Sequence, residues 1–166
     1  VADKGTVLST GTSLSFEPVQ GSKDNPMAVL QISADKADAI WRGLVVRATG
    51  TAAANGIFNE EVSVVKIWRD NMISGNQGQL DSTDIFVGSG TFGSAGQALE
   101  APVKFSSANF QRIATQPQSY FISYDIADNA VPLDPQTKAG RTVGAILDAA
   151  SYPQNVNNID DPLDDF

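Results

Sequence analysis

"YFISYDIA", residues 120–127, carries the clearest structural signal in the chain. Tyr120, Ile122, Tyr124 and Ile126 fall at every second position, with Phe121, Ser123 and Asp125 between them. Side chains of an extended strand point alternately to its two faces, so a period of two predicts a half-buried β-strand. Working outward, "VSVVKIW" (62–68) is apolar on both faces, as expected of a strand central in its sheet. "LQIS" (30–33) puts Leu30 and Ile32 on one side, and "LSFEPV" (14–19) does the same less cleanly for Leu14 and Phe16. Strands are expected over 6–19, 27–34, 43–51, 62–69, 85–92, 103–105, 120–126 and 142–149.

Between these runs lie "GSKDNP", "TAAANG", "GSAGQ" and "VPLDPQTKAG", clusters of the residues that build turns. Short strands punctuated this way predict an all-β, two-layer antiparallel sandwich with little helix. "ADKADAIWRGLV" (34–45) has room for one or two helical turns capped by Ser33 or Asp35, and "RTVGAILDAASY" (141–152) fits strand and helix equally. A length of 166 residues suits one domain, expected over 1–153. Residues 154–166, with four aspartates and little to bury, are expected to leave it as an acidic tail. Ile159, Leu163 and Phe166 would also let that tail dock in an extended form.

Composition excludes several functions. Hydrophobic residues make up 42% of the chain, enough for a folded core. Eleven Lys and Arg stand against nineteen Asp and Glu, for a formal charge of −8, and the cations form no run. Such a field repels phosphate backbones and anionic headgroups, so no nucleic-acid partner is expected. There is no cysteine and no histidine. Ser-His-Asp and Cys-His nucleophiles, Cys/His zinc sites and histidine-ligated haem are therefore closed. No stretch is long and apolar enough for a membrane span. The chain is either cytosolic or a mature secreted form after signal-peptide removal.

The segment between residues 70 and 84 is the main candidate site. Asp70, Asn71, Asn76, Gln79, Asp81 and Asp84 offer oxygens, and Gly75 and Gly78 allow tight turning. Calcium wants six to eight such oxygens, so Asp70, Asn71, Asp81 and Asp84 are candidate calcium ligands. The order is not that of an EF-hand, because Met72 and Ile73 stand early and no glutamate closes the loop. A solvated hairpin connection fits the same residues.

Other chemistry is less well supported. Glu17, Glu60, Glu61 and Glu100 provide carboxylates of the kind glycosidases pair, but nothing singles out a pair. Gly88, Gly90, Gly93 and Gly96 lack the Lys-Ser/Thr of a phosphate loop and read as a bend and hairpin. No catalytic residue is expected. Trp41, Trp68, Tyr120, Tyr124 and Tyr152 suit either a core or a sugar-stacking platform.

The succession "SVVKIWRDN", "LDSTDIFVGSGTF", "QRIATQPQSYFISYDIADNA" and "GRTVGAILDAA" resembles an Ig-like sandwich repeat of bacterial and archaeal secreted and cell-surface proteins. The likeness runs from Val62 to Ala150. In that family the loop often carries a calcium-type acidic series. Asp70, Asp81 and Asp84 match its ends, while Met72, Ile73 and Ser74 replace its middle ligands. The resemblance implies a structural or adhesive module outside the cell. The acidic, disulfide-free composition further suggests a globular subunit of a surface filament. Its partners would be other subunits, including a pilin helix on a separate chain, or a glycan.

Overall fold

The computed structural model describes residues 5–8, 19–34, 39–54, 58–93, 99–131 and 140–147. They form ten strands: β1 (Gly5–Leu8), β2 (Asn25–Ala34), β3 (Ala39–Trp41), β4 (Gly43–Thr49), β5 (Val62–Arg69), β6 (Ile85–Gly90), β7 (Glu100–Lys104), β8 (Gln111–Ile113), β9 (Gln118–Ile126) and β10 (Gly144–Ile146). Two short helices, α1 (Thr51–Ala54) and α2 (Phe58–Glu61), separate β4 from β5, and one 3-10 turn spans Ser107–Asn109. The chain is an all-β sandwich of antiparallel sheets.

One layer has the order β1-β2-β9-β5-β6. The other is built on β4, which lies between β10 and β7. Only Arg42 separates β3 from β4, and the pairing follows across that gap from Trp41 with Gln111 to Gly43 with Lys104. The Phe105 N–H donates to the Arg42 carbonyl at 2.8 Å, bridging the two ladders. β3 and β4 thus act as one interrupted strand, answered by β7 and then β8.

The core fills the space between layers. Leu30 and Ile32 of β2, Val65 and Ile67 of β5, and Tyr120, Ile122 and Tyr124 of β9 share one face through the registers Leu30↔Tyr120, Ile67↔Ile122 and Val65↔Tyr124. Trp41, Leu44, Val46, Val103 and Phe105 belong to the same core. Trp41 meets Phe105 and Tyr120 edge-on, each with 4.9 Å between ring centroids. Phe58 of α2 and Phe92 pack edge-on at 4.5 Å and both approach Tyr124. Edge-to-face packing of this kind adds about 1 kcal/mol per pair to the area buried.

β9 is more buried than its alternation predicts. Phe121, Ser123 and Asp125, on the face away from the core, are buried as well. Phe121 lies between Val29 and Trp68 across the two ladders, and Trp68 Nε1 donates to Ser123 Oγ at 2.8 Å. Large cross-strand neighbours on both sides of a central strand cover part of its outer face.

Other expectations shift at their edges. The strand expected over 43–51 stops at Thr49, because Gly50 turns with φ +99° and Thr51 opens α1. β3 replaces the helical reading of 34–45 over its described part, since Trp41 must point into the core at strand spacing. β10 resolves 141–152 as strand over 144–146. Residues 9–18 of the expected first strand, and the tail 154–166, lie outside the described residues.

β6 approaches β7 closely. A Cβ on Gly90 would stand 2.4 Å from the Pro102 carbonyl oxygen, so only glycine admits this contact. Asn109 Nδ2 donates to the Val87 carbonyl at 3.1 Å, which occupies a backbone acceptor of this edge strand.

Candidate functional site

The acidic segment forms the connection of the β5–β6 hairpin, and its order comes from its own carboxylates. Asp84 accepts from the N–H of Asn71 at 3.0 Å through Oδ1 and from that of Asp81 at 2.8 Å through Oδ2. Asp81 accepts from the N–H of Asn76 at 2.6 Å, and from the N–H and hydroxyl of Thr83 at 2.8 and 2.7 Å. Asp70, buried at 3% exposure, accepts from the N–H of Gly78 at 2.8 Å. Asn71 donates to Ser74 Oγ and the Thr83 carbonyl and accepts from the N–H of Ile73.

These bonds fold Asx-type turns into one another, the use to which short polar side chains are best suited. Gly75 has φ +84°, and a Cβ there would stand 2.2 Å from Thr83 Oγ1, so the turn demands glycine twice over. The Asn76 N–H, then the hydroxyl and N–H of Thr83, hold the Asp81 carboxyl below its usual range.

Asp70, Asn71, Asp81 and Asp84 are thus neighbours in one hairpin, each already engaged with backbone donors or acceptors. Among the described residues no group of three or more His, Cys, Asp or Glu is arranged to hold a metal ion. Gln79, offered by the sequence as a further oxygen, is exposed. Instead, the loop turns apolar side chains outward, with Met72 50% and Ile73 96% exposed. Ile85 and Phe86, where β6 begins, are 41% and 44% exposed.

The other candidate residues scatter. Trp41 is a core residue, and its Nε1 has no hydrogen-bond partner among the described residues. Tyr120 and Tyr124 are buried; burial pushes the Tyr120 phenol up to about 12, slightly opposed by Arg69. Trp68 alone among the described candidate stacking residues lies on the outer face, edge-on to Phe86 at 5.3 Å. Tyr152, Glu17 and Gly96 lie outside the described residues. Glu60 is exposed, and Glu100 faces Arg47 across the β4–β7 ladder.

Two ionic arrangements were not legible in the sequence. Glu61 is buried and pairs with Arg141 Nη1, while its other oxygen accepts from the Val131 N–H at 3.0 Å. Lys66 Nζ lies 2.7 Å from Asp24 Oδ1 and 2.9 Å from Asp125 Oδ2. Burial alone would lower the Lys66 amine, but hydrogen bonds to Asp125 and Asp24, with their charges, outweigh it and leave it raised. The partners in each case lie far apart along the chain, and only the fold joins them.

The arrangement sets engaged charges inside a braced hairpin and apolar side chains on its outside. No protein-family model matches the chain, and no curated protein matches it. The sandwich therefore defines the class, and among the described residues no helix is long and apolar enough to cross a membrane.

Proposed function

We propose that the chain is a non-catalytic structural domain of an extracellular or cell-surface assembly, contacting other subunits through its hairpin end. The observation that carries this reading is the hairpin's division of labour. Its carboxylates brace its backbone, and four of the nine exposed large hydrophobics among the described residues, Met72, Ile73, Ile85 and Phe86, lie within it. A braced loop loses little conformational entropy on contact, and exposed apolar side chains gain by burial. The resemblance to Ig-like surface repeats supports placement outside the cell, and a filament subunit or the partner of a separate pilin helix fits the same surface.

Oligomeric state in material isolated from the source, with companion chains identified and fibres sought by negative-stain microscopy, tests the reading. Recovery with other surface subunits is the expected result. A protein that stays monomeric at high concentration, without companions or fibres, would overturn it.

A second reading, glycan binding, draws on the outward placement of Trp68 beside Phe86. Trp68 Nε1 is anchored on Ser123 and Lys66 Nζ lies 6.0 Å from its ring, which fixes the ring for stacking. Saturable chemical-shift changes around Trp68 on a glycan panel would favour this reading over assembly.

A further inference from the structure

The five-stranded layer carries exposed apolar residues at both of its ends. β9 runs antiparallel to β5 and β2 through Val62↔Ile126, Arg69↔Tyr120, Asn25↔Tyr124 and Ile32↔Gln118. One end of the layer therefore gathers the β5–β6 hairpin and the start of β9. The other gathers the turn before β2, the end of α2 and the residues that follow β9. Eight-residue β5 separates the two by roughly 26 Å. Of the nine exposed large hydrophobics among the described residues, Met72, Ile73, Ile85 and Phe86 mark the first end, and Val19 and Val131, 70% and 46% exposed, mark the second. The other three, Ile40, Phe110 and Ile146, lie on or beside strands of the opposite layer.

The second end, like the hairpin, is braced from within. The Gly21 N–H donates to the Ala127 carbonyl at 3.3 Å, the Ser22 N–H to that of Val19 at 2.9 Å, and the Ile126 N–H to that of Ser22 at 2.8 Å. The Ala130 N–H donates to the Ala127 carbonyl at 3.1 Å, and the Val131 N–H to Glu61 Oε2 at 3.0 Å. Val19 and Val131 thus belong to ordered turns gathered about Ala127, and a contact made there costs little further ordering.

We propose that these two ends bind each other between copies, the hairpin of one chain setting Met72 and Ile73 against Val19 and Val131 of the next. The occupant is a second copy because one chain carries both apolar ends, and they lie at opposite ends of the same strands. A contact between different patches of identical chains is heterologous, and with the patches so placed it repeats into a row instead of closing as a dimer. Charge does not supply the attraction. Asp81 stands in the hairpin, and Glu60 and Asp128 are exposed at the other end together with the cation Lys23. Apolar burial carries the contact against a formal charge of −8, so added salt strengthens it. The inference rests on the assembly reading and names the partner of the hairpin.

The chain has no cysteine, so introduced thiols report contacts without background. Ile73→Cys and Val131→Cys chains, mixed in equal amounts at high concentration and mildly oxidised, test the proposal. Ile73→Cys mixed with Ser89→Cys is the reference pair, since Ser89 is exposed on β6 opposite Lys66, between the two ends. The 73–131 disulfide should exceed either same-site disulfide about tenfold, where random collision gives about twofold, and the excess should grow in about 0.5 M salt. A 73–131 yield no higher than that of the reference pair would overturn the proposal. So would a dominant 73–73 disulfide, which is a tip-to-tip dimer, or an excess that falls with salt. Companion subunits or fibres recovered from the source in that event would leave the assembly reading standing and remove the self-contact alone.

Discussion

Glu61 sits at 5% exposure with one oxygen on Arg141 and the other on the Val131 N–H. Its backbone carbonyl also accepts from the Ala127 N–H at 2.9 Å, so this one residue ties α2 to the end of β9 and to the chain on both sides of residues 132–139. Removing one member of a buried pair leaves the other charge unanswered, which is costlier than losing both. Glu61→Gln is therefore expected to lower stability by about 3 kcal/mol, read from the urea midpoint. The double variant Glu61→Gln with Arg141→Gln should be less damaged than Glu61→Gln alone. Equal stability of Glu61→Gln and the parent would show that the pair contributes nothing. Neither Glu61 nor Arg141 announces this role in the sequence, because eighty residues part them and only the fold brings them together.

At the scale of elements, the hairpin loop invites two measurements. Its Asp81 carboxyl is held below the ordinary value of 3.8 by the N–H of Asn76, then by Thr83. A depressed carboxyl contributes its stabilisation fully above the unfolded value and loses it as pH falls through the lower native one. The amide signals of Asn76 and Thr83 should therefore hold steady down to about pH 4 and shift together below it. In Asp81→Asn that shared acid transition should vanish; its persistence would assign the titration to another group. Calcium is the second measurement. Its binding would require Asp70, Asp81 and Asp84 to exchange donors they already hold, so millimolar calcium or a chelator is expected to leave the thermal midpoint unchanged. A rise of several degrees would assign Asp70, Asn71, Asp81 and Asp84 as ligands.

The central elements were legible because β2 and β9 are long enough to display a period of two and β5 is an apolar run on both faces. β3 and β8, three residues each, are too short for any period to register, and the apolar spacing of 34–45 suits a helix equally well. The loop's ingredients could be read, but not their mutual engagement, which depends on positive φ at Gly75 and Gly78.

For the whole molecule, a formal charge of −8 opposes self-association, and burial of uncharged apolar surface is one contribution that offsets it. Met72 and Ile73 supply such surface without supporting the core. Replacing both by aspartate should move the unfolding free energy by less than about 0.5 kcal/mol. Sedimentation of the same variant in the presence of its companions should show weakened association. Undiminished association would remove the hairpin from the contact.

The amide of Asn109 on the Val87 carbonyl has a bearing on how this protein can fail. Exposed sheet rims template fibrous aggregates, and here one rim carries a stopper supplied by a three-residue turn. An intruding peptide would first have to peel that turn away. Precipitation seeded along this rim should thus lag until the turn loosens, and replacing Asn109 with alanine would shorten the delay.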